Sequence, residues 1–267
     1  MRNFTSLPVL ILCLLMAMPA QARKKKNKHK APVVLAMAEP DQLATPSQPH
    51  PLVAPVEEAS RHHLSEANRY GIDVSRYQGE IDWQTVKTDE NVSYVYLKAT
   101  EGASLVDVTY HYNLEEARKA GLKVGCYHFF SPTVDPKTQF DNFTEVVKLE
   151  EQDLIPIIDV ENCGRGSIDR FRKRLTRFLH MVEEHYGIRP IIYTSSNFYN
   201  KYLAGRYTDY KYMIARYHEE EPILTDEDIK LVMWQFTANG RIAGIKGPVD
   251  RSRFMDEYHI GDILIRR

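Results

Sequence analysis

Cysteine is scarce in this chain, with three residues among 267. Cys13 lies inside an N-terminal apolar stretch, which leaves Cys126 and Cys163 for the folded part. Cys126 falls within a predicted strand, whereas Cys163 lies beyond the end of the next one, so several residues at ~3.3 Å each separate them along the strand axis. A disulfide requires closely placed Cβ atoms. The sequence therefore predicts two free thiols.

Motifs for nucleotide and metal binding are also missing. No glycine-rich loop of the G-x-G-x-x-G or Walker type follows the first predicted strand, which argues against a doubly wound nucleotide-binding sheet. Metal-dependent barrel hydrolases usually carry several histidine ligands, often as H-x-H on a strand. Neither the His62-His63 pair nor the scattered His111, His128 and His218 offers this spacing. We expect no metal, no cofactor, and a structural role for His128.

An excess of positive charge is absent as well. The whole chain has 35 Lys and Arg against 36 Asp and Glu. From residue 61 onward the balance is 28 to 32, so this part is mildly acidic. A nucleic-acid-binding protein normally shows the opposite sign. We therefore expect no nucleic-acid partner.

Residues 1–22 have the pattern of a secretory signal peptide. Arg2 precedes an apolar stretch from Leu7 to Met18, and Ala20-Gln21-Ala22 forms a small-x-small cleavage site. The stretch is shorter than the ~20 residues that span a bilayer, so we expect export without stable membrane insertion. The destination is either the periplasm or the extracellular space.

Residues 23–60 differ in composition from the rest of the chain. Residues 23–30 contain six Lys and Arg, which indicates either attraction to an anionic envelope polymer or a solvated tail. Residues 31–60 are rich in Pro and Ala, a composition that cannot bury enough surface to offset the entropy of ordering. We predict a disordered tether over 23–60 and one folded domain over 61–267, acting as a monomer.

Residues 61–267 alternate between strand-like and helix-like segments. The predicted strands are Tyr70–Val74, Tyr94–Lys98, Lys123–Phe130, Leu154–Val160, Pro190–Thr194, Tyr212–Tyr217 and Leu231–Phe236. The predicted helices are Tyr110–Ala120, Pro136–Glu151 and Ile168–Tyr186. Because most of the strands are apolar throughout, they indicate a parallel sheet buried on both faces, either a barrel or a doubly wound sheet.

Two carboxylates end the fourth predicted strand. Asp159 and Glu161 are two residues apart, so in a strand both side chains point to the same side. Like charges held close together cannot both ionise at their ordinary pKa, so one is pushed toward the protonated form and can act as an acid near neutral pH. The alternative is a short acidic strand end that caps the next helix.

Polar and aromatic residues also follow the other predicted strands. Asp73 to Gly79 follows the first strand, Lys98 to Gly102 follows the second, and Tyr127 to Phe130 ends the third. Barrel enzymes build their sites at the carboxyl ends of their strands. The sequence thus predicts a site at this end of a barrel, although Asp73 has an alternative role as a turn or helix cap.

Several blocks of sequence in this part of the chain form one ordered set. They are Gly71 to Ser75 with Ile81-Asp82-Trp83, Tyr96 to Gly102, Ala120 to Phe130, Pro156 to Glu161, Ile192-Tyr193-Thr194, and Trp234 to Asp250. Together they resemble the glycoside hydrolase family 25 lysozymes, the Chalaropsis-type muramidases. The resemblance implies a modified α/β barrel with fewer outer helices and some antiparallel strands late in the chain. It also implies cleavage of the β-1,4 bond between N-acetylmuramic acid and N-acetylglucosamine in peptidoglycan glycan strands.

The resemblance also implies roles for four acids. Glu161 matches the proton donor, Asp159 its partner carboxylate, and Asp73 and Asp250 the two other acids of the site. Glu161 would protonate the leaving oxygen while positive charge develops at the sugar carbon. Asp159 would be either a nucleophile or a base that orients the N-acetyl group of the substrate for internal attack.

Aromatic side chains near strand ends are candidates for sugar binding, because a ring can stack on a pyranose while its polar group forms a hydrogen bond. The candidates are Tyr77, Tyr127, Tyr193, Tyr217 and Trp234. Lys98, Glu101 and Gln235 are expected to stabilise the acids without contacting the sugar themselves. Lys98 would relieve the repulsion among the carboxylates, either paired with Glu101 or with Glu101 only shaping the loop.

Two segments depart from the usual pattern of the family. Arg251 and Ser252 replace Leu-Asn in the loop predicted after Asp250, and the segment from Tyr212 to Tyr217 lacks the Trp that usually precedes Ile-Ala.

Two rival functions make different demands on these residues. A chitinase-like barrel would show D-x-x-D-x-D-x-E before its proton donor, and here Ile157 and Ile158 occupy the intervening places. A cell-wall-binding barrel that has lost catalysis would have no need of all four acids. The sequence therefore favours a peptidoglycan hydrolase.

Overall fold

The computed structural model describes residues 69–266. The predicted signal peptide over 1–22, the predicted tether over 23–60 and the first eight residues of the predicted domain lie outside this range. Within residues 69–266 no helix is both long enough and apolar enough to cross a membrane.

Eight strands close into a barrel, and a short ninth strand extends one of them. The strands are β1 (Tyr70–Val74), β2 (Tyr94–Glu101), β3 (Leu105–Val106), β4 (Lys123–Phe129), β5 (Ile157–Asp159), β6 (Ile191–Ser195), β7 (Lys211–Ala215), β8 (Lys230–Gly240) and β9 (Val249–Phe254). Their order is β1-β9-β8-β7-β6-β5-β4-β2, and β1 pairs with β2 to close the ring. Within the ring, neighbouring strands are parallel except β9, which runs antiparallel to β8 and β1, and outside the ring the short β3 runs antiparallel to β2. This confirms the predicted modified barrel.

The helices are few and unevenly placed around the barrel. They are α1 (Trp83–Lys87), α2 (Tyr110–Lys119), α3 (Pro136–Val146), α4 (Ile168–Tyr186) and α5 (Ser196–Phe198), the last continuing as a π-helical turn. Asp135 caps α3 with Pro136 in its first turn, and Ser167 caps α4, which ends at a left-handed Gly187. These local signals explain why the predicted helix starts were right.

Several predicted elements differ from the structure. The helix predicted over Pro136–Glu151 ends at Val146 and is followed by a separate 3-10 turn over Leu149–Glu151. The strand predicted over Leu154–Val160 is limited to Ile157–Asp159. The loop predicted around Asp250 is instead the strand β9. Most of its residues are polar, so the sequence lacks the apolar pattern that usually indicates a strand.

The core has two layers, separated by the strands. Inside the barrel, Tyr94, Tyr96, Met213 and Phe254 pack with their neighbours. Outside it, the apolar face of α4, including Phe178, packs against strand residues that point outward. Side chains alternate between these layers along each strand. The inner layer stops below the carboxyl ends of the strands, which leaves the acids above it.

In the described residues no helix follows β7 or β8. Long side chains cover the outer side of β8, β9 and β1 instead. The Arg251 guanidinium lies 5.7 Å from the Tyr70 ring centroid and 5.6 Å from that of Phe236. The Arg253 guanidinium lies 4.9 Å from the Trp234 ring centroid. These cation–π contacts shield the aromatic rings from water. They also show that Trp234 points away from the interior of the barrel.

Candidate active site

A cavity of about 150 Å³ opens at the carboxyl ends of the parallel strands. It is lined by Asp73, Tyr96, Tyr127, Ile157, Asp159, Glu161, Tyr193, Met213, Tyr217, Gln235 and Asp250. All four predicted acids are among them. Because β9 runs antiparallel, the start of this strand lies at the same barrel end as the finish of β1, so Asp250 comes directly opposite Asp73.

Asp159 is the deeper of the two acids on the β5 segment. It is the last residue of β5, lies between Phe129 and Tyr193 on the neighbouring strands, and is 7% exposed. Its Oδ1 atom is buried without a hydrogen-bond partner in the described residues. Burial, followed by repulsion from Glu161, raises the pKa of Asp159 well above its ordinary value. An unpartnered acceptor at this depth is suited to a donor or an electrophile carried by a ligand.

Glu161 lies two residues beyond Asp159, at the cavity mouth. The intervening Val160 is fully buried on the opposite side, so the chain keeps its strand-like alternation past the end of β5. Loss of hydration in the cavity raises the pKa of Glu161, while nearby Lys98 lowers it. Its side chain is nevertheless exposed. A carboxyl group with a raised pKa that still reaches solvent can donate a proton to a ligand and recover it afterwards.

Asp73 and Asp250 form a cross-strand pair of like charges. Their Cα atoms are register partners between β1 and β9. Burial and then repulsion from Asp250 raise the pKa of Asp73 to about 8, although a hydrogen bond from Gln235 opposes the shift. Burial and then repulsion from Glu161 raise the pKa of Asp250 to about 6. Burial therefore raises the pKa of all four acids, and repulsion within the cluster adds to the rise for Asp73, Asp159 and Asp250.

Gln235 connects the acids to two tyrosines. Its Nε2 atom donates to both carboxyl oxygens of Asp73, at 3.1 and 3.0 Å. Its Oε1 atom accepts from the hydroxyl of Tyr193 at 2.8 Å and from that of Tyr217 at 2.9 Å. The carboxyl oxygens of Asp73 favour this orientation of the amide, because the reversed amide would place its oxygen against two acceptors, whereas the tyrosine hydroxyls can donate or accept.

Lys98 and Glu101 form an ion pair beside the cavity. The Lys98 Nζ atom lies 2.6 Å from Glu101 Oε2 and 5.2 Å from the Phe129 ring centroid. The Lys98 charge lowers the pKa of both Asp159 and Glu161 against the larger effect of burial. A cation at this position opposes the rise in pKa that burial causes in both acids.

The predicted sugar-binding aromatics divide into two groups. Tyr127, Tyr193 and Tyr217 line the cavity, and Tyr217 is 58% exposed at its mouth. Tyr77 is 77% exposed and lies outside the cavity, with the Arg76 guanidinium 5.0 Å from its ring centroid.

The structure does not bring Trp234 to the cavity. Trp234 is 4% exposed, and its indole N–H donates to the Arg216 carbonyl at 2.8 Å on the outer side of β8. Its position near a strand end suggested a site role, but the alternation along β8 turns Gln235 inward and Trp234 outward.

Three cavity residues were not anticipated. Tyr96, Ile157 and Met213 form the apolar floor, and each lies in an apolar strand that the sequence presents as ordinary core. The period of two along a strand could have found two of them, because Ile157 is two residues before Asp159 and Tyr96 is two residues before Lys98.

The remaining titratable predictions concern His128 and the cysteines. His128 is fully buried, with Nδ1 2.7 Å from Thr100 Oγ1, and burial lowers its pKa to about 3. It packs in the outer layer beside Phe178, which fits the predicted structural role. Cys126 is buried and Cys163 partly buried, and both are free thiols. Among residues 69–266 no group of three or more His, Cys, Asp or Glu is placed to hold a metal ion.

Known proteins resemble a large part of this chain. The family model for glycosyl hydrolases family 25 matches residues 72–245. The uncharacterized protein YegX of Escherichia coli is 39% identical over 189 residues, which are 69% of each chain. The autolytic lysozyme of Clostridium acetobutylicum is 31% identical over 195 residues, 73% of this chain and 58% of that protein. The structure of a family 25 glycosyl hydrolase from Bacillus anthracis is 31% identical, covers 72% of this chain and 93% of its own, and gives a TM-score of 0.64.

Proposed function

The chain belongs to glycosyl hydrolases family 25, and we propose that Glu161 and Asp159 are the residues with which it cleaves peptidoglycan. It is a glycoside hydrolase of the lysozyme type, acting on the β-1,4 bond between N-acetylmuramic acid and N-acetylglucosamine. The observation that carries the assignment of residues is the cavity in which four carboxyl groups with raised pKa values meet four tyrosines.

Glu161 acts as the general acid. Cleavage of a glycosidic bond needs a proton on the leaving oxygen as positive charge develops at the sugar carbon. Glu161 meets both requirements of a donor, since its pKa is raised and its side chain is exposed at the mouth of the cavity. Asp159 is more deeply buried and has no comparable access to solvent. After cleavage Glu161 accepts a proton from the incoming water, which restores the acid.

Asp159 acts through its unpartnered Oδ1 atom. As a nucleophile it would bond to the sugar carbon; as a base it would accept from the N–H of the substrate's N-acetyl group and aim that group's carbonyl at the same carbon. A covalent glycosyl-enzyme trapped on Asp159 would identify the first role. Loss of turnover on glycans without the N-acetyl carbonyl, with no trapped adduct, would identify the second.

Asp73 and Asp250 complete the charge distribution around the sugar. Asp250 and Glu161 repel each other, and the charge of Asp250 favours the cationic transition state over the neutral substrate, whereas Asp73, with its pKa raised to about 8, keeps its proton near neutral pH. Tyr127, Tyr193 and Tyr217 offer rings and hydroxyls to the pyranose. The enzyme is proposed to act as an exported monomer, in the periplasm or outside the cell, on the strength of the signal-like sequence over 1–22.

Mass analysis of digestion products tests the bond specificity. Purified peptidoglycan treated with the enzyme is expected to yield fragments with N-acetylmuramic acid at the reducing end. Fragments ending in N-acetylglucosamine would contradict the assignment. Fragments from chitin, which has no muramic acid, would support the chitinase-like alternative.

A further inference from the structure

One face of α4 carries a cluster of cations that the glycosidic site does not use. Its members are Arg170, Arg172, Lys173, Arg174 and Arg177 on the helix and Arg206 from the segment that follows the π-helical turn. They line two adjoining concavities of about 570 and 430 Å³, and we call this surface the α4 basic face. Three acids, Asp135, Asp169 and Glu184, share the concavities, which leaves an excess of positive charge on a mildly acidic domain.

Two of these arginines are held in place by backbone carbonyls. Arg172 donates Nε and Nη2 to the Tyr202 carbonyl at 3.0 and 2.9 Å. Arg174 donates Nη1 to the Pro132 carbonyl at 2.9 Å. Neither forms an ion pair in the described residues, so each guanidinium is positioned while its charge is uncompensated. A fixed guanidinium presents its remaining N–H groups to an oxyanion with less loss of side-chain entropy.

The other cations of the α4 basic face are available to a ligand. The side chains of Arg170, Lys173 and Arg206 are exposed and have neither a hydrogen bond nor an ion pair within residues 69–266. Arg177 lies 4.0 Å from Asp135, and both side chains are more than half exposed, so this pair is weak.

The order of charges along α4 opposes the helix dipole. Arg170 lies in the first turn, where anions are favoured, and Glu183 and Glu184 lie in the last turn, where cations are favoured. Asp169 and His185 follow the dipole and offset this only in part. Surface charges that destabilise their own helix indicate that the cations serve an external partner.

The α4 basic face begins at the barrel end that holds the cavity. Ser167, the cap of α4, is six residues beyond Glu161. Pro132, which accepts from Arg174, follows β4, whereas Arg206 lies five residues before β7, toward the other end of the barrel. A polymer bound to this face would therefore run beside the loops that surround the active site.

We propose that the α4 basic face binds a flexible polymer carrying phosphodiester groups and so holds the enzyme beside its glycan substrate. Arginine recognises phosphate through paired N–H donors, and spaced cations along a helix suit a repeating anion. A bilayer is a poorer match, because the described lining of the two concavities is polar apart from Pro136 and Met181, and membrane surfaces bind helices that also bury apolar side chains.

The test compares the binding of poly(glycerol phosphate) by full-length variants at low salt. The variant Arg170→Gln with Lys173→Gln and Arg206→Gln is expected to bind at least about tenfold more weakly than the parent. The control variant carries Lys87→Gln, Lys230→Gln and Arg266→Gln, which removes the same number of exposed charges near the opposite barrel end. It should bind like the parent. Equal loss in both variants, or loss in neither, would overturn the proposal.

Three further measurements separate this proposal from its alternatives. The α4 variant should melt no lower than the parent, since Arg170 opposes the helix dipole, so weaker binding would not reflect unfolding. It should also hydrolyse soluble glycan fragments at the parental rate, which keeps the result independent of the lysozyme assignment. Tighter binding to polyglutamate or to phosphatidylglycerol vesicles than to poly(glycerol phosphate) would assign the face to a carboxylate polymer or to a membrane instead.

Discussion

Gln235 donates its amide N–H groups to both carboxyl oxygens of Asp73, at 3.1 and 3.0 Å. The same amide accepts from Tyr193 and Tyr217, so one side chain joins an acid of the site to two rings that line the cavity. This arrangement holds Asp73 in one orientation although burial disfavours its charge. The amide therefore links sugar binding at the tyrosines to the charge of the carboxyl cluster.

Replacing Gln235 with Leu should impair turnover more than substrate binding. The substitution removes both hydrogen bonds to Asp73 and leaves two tyrosine hydroxyls without their acceptor. We expect kcat on peptidoglycan to fall about 10- to 100-fold, with a smaller change in KM. Tyr217→Phe is the matched control, because it removes one donor while Tyr193 still orients the amide. An unchanged kcat for Gln235→Leu would contradict the positioning role.

Charge changes around Glu161 should move the pH profile in opposite directions. Asp250→Asn removes a neighbouring negative charge, so Glu161 should lose its proton at lower pH and the alkaline limb of kcat/KM should shift downward. Lys98→Gln removes a cation that lowers the pKa of Glu161, so the same limb should shift upward. Asp228→Asn, on the exposed β7–β8 segment, is the control and should leave the profile in place. Shifts of the same sign in both test variants would contradict this account.

Asp73 should make the folded protein less stable as pH rises. Its pKa moves from 3.8 to about 8 on folding, so between these values the folded state binds more protons than the unfolded state, and stability falls with increasing pH. Asp73→Asn removes this dependence. The variant should melt near the parental temperature at pH 4 and above it at pH 8, by roughly 2–4 °C for each ~1 kcal/mol. Scanning calorimetry at both pH values measures this, and a lower melting temperature at pH 8 would be the opposite result.

Trp234 and Tyr217 should separate stability from substrate binding. Trp234→Phe removes the indole donor to the Arg216 carbonyl, which keeps only the donor from the His218 N–H, and it weakens the Arg253 stack, so it should cost about 1–2 kcal/mol of unfolding free energy. Its KM should stay near the parental value. Tyr217→Ala should raise KM at nearly unchanged stability, because its ring is exposed at the mouth. Denaturant titration and steady-state kinetics on both variants check these two expectations. A raised KM for Trp234→Phe would show that Trp234 takes part in substrate binding.

Much of the fold could be predicted because the signals were local. The apolar β1, β4 and β6 segments and the capped α4 are each specified by their own residues, and the acids at strand ends indicated the functional end of the barrel. β9 was missed because both of its faces carry polar residues. Asp250 and Ser252 face inward, and Arg251 and Arg253 face outward, where they cover the sheet in place of a helix.

The site was less predictable where position depends on tertiary contacts. Trp234 and Gln235 are adjacent in sequence, and only the pairing of β8 with β9 decides which of them faces the acids. The same holds for Met213, which lies in the cavity floor while its neighbours Tyr212 and Ile214 face the outer layer. Such choices depend on the closed barrel, which no single segment of the sequence determines.

The role of Glu161 is tested most directly by the release of reducing ends from purified peptidoglycan. Glu161→Gln keeps the size of the side chain and removes its transferable proton, and Glu227→Gln makes the same change on an exposed residue outside the cavity. We predict that Glu161→Gln lowers the initial rate by at least about 100-fold at unchanged melting temperature, whereas Glu227→Gln retains parental activity. Parental activity in Glu161→Gln would contradict the account.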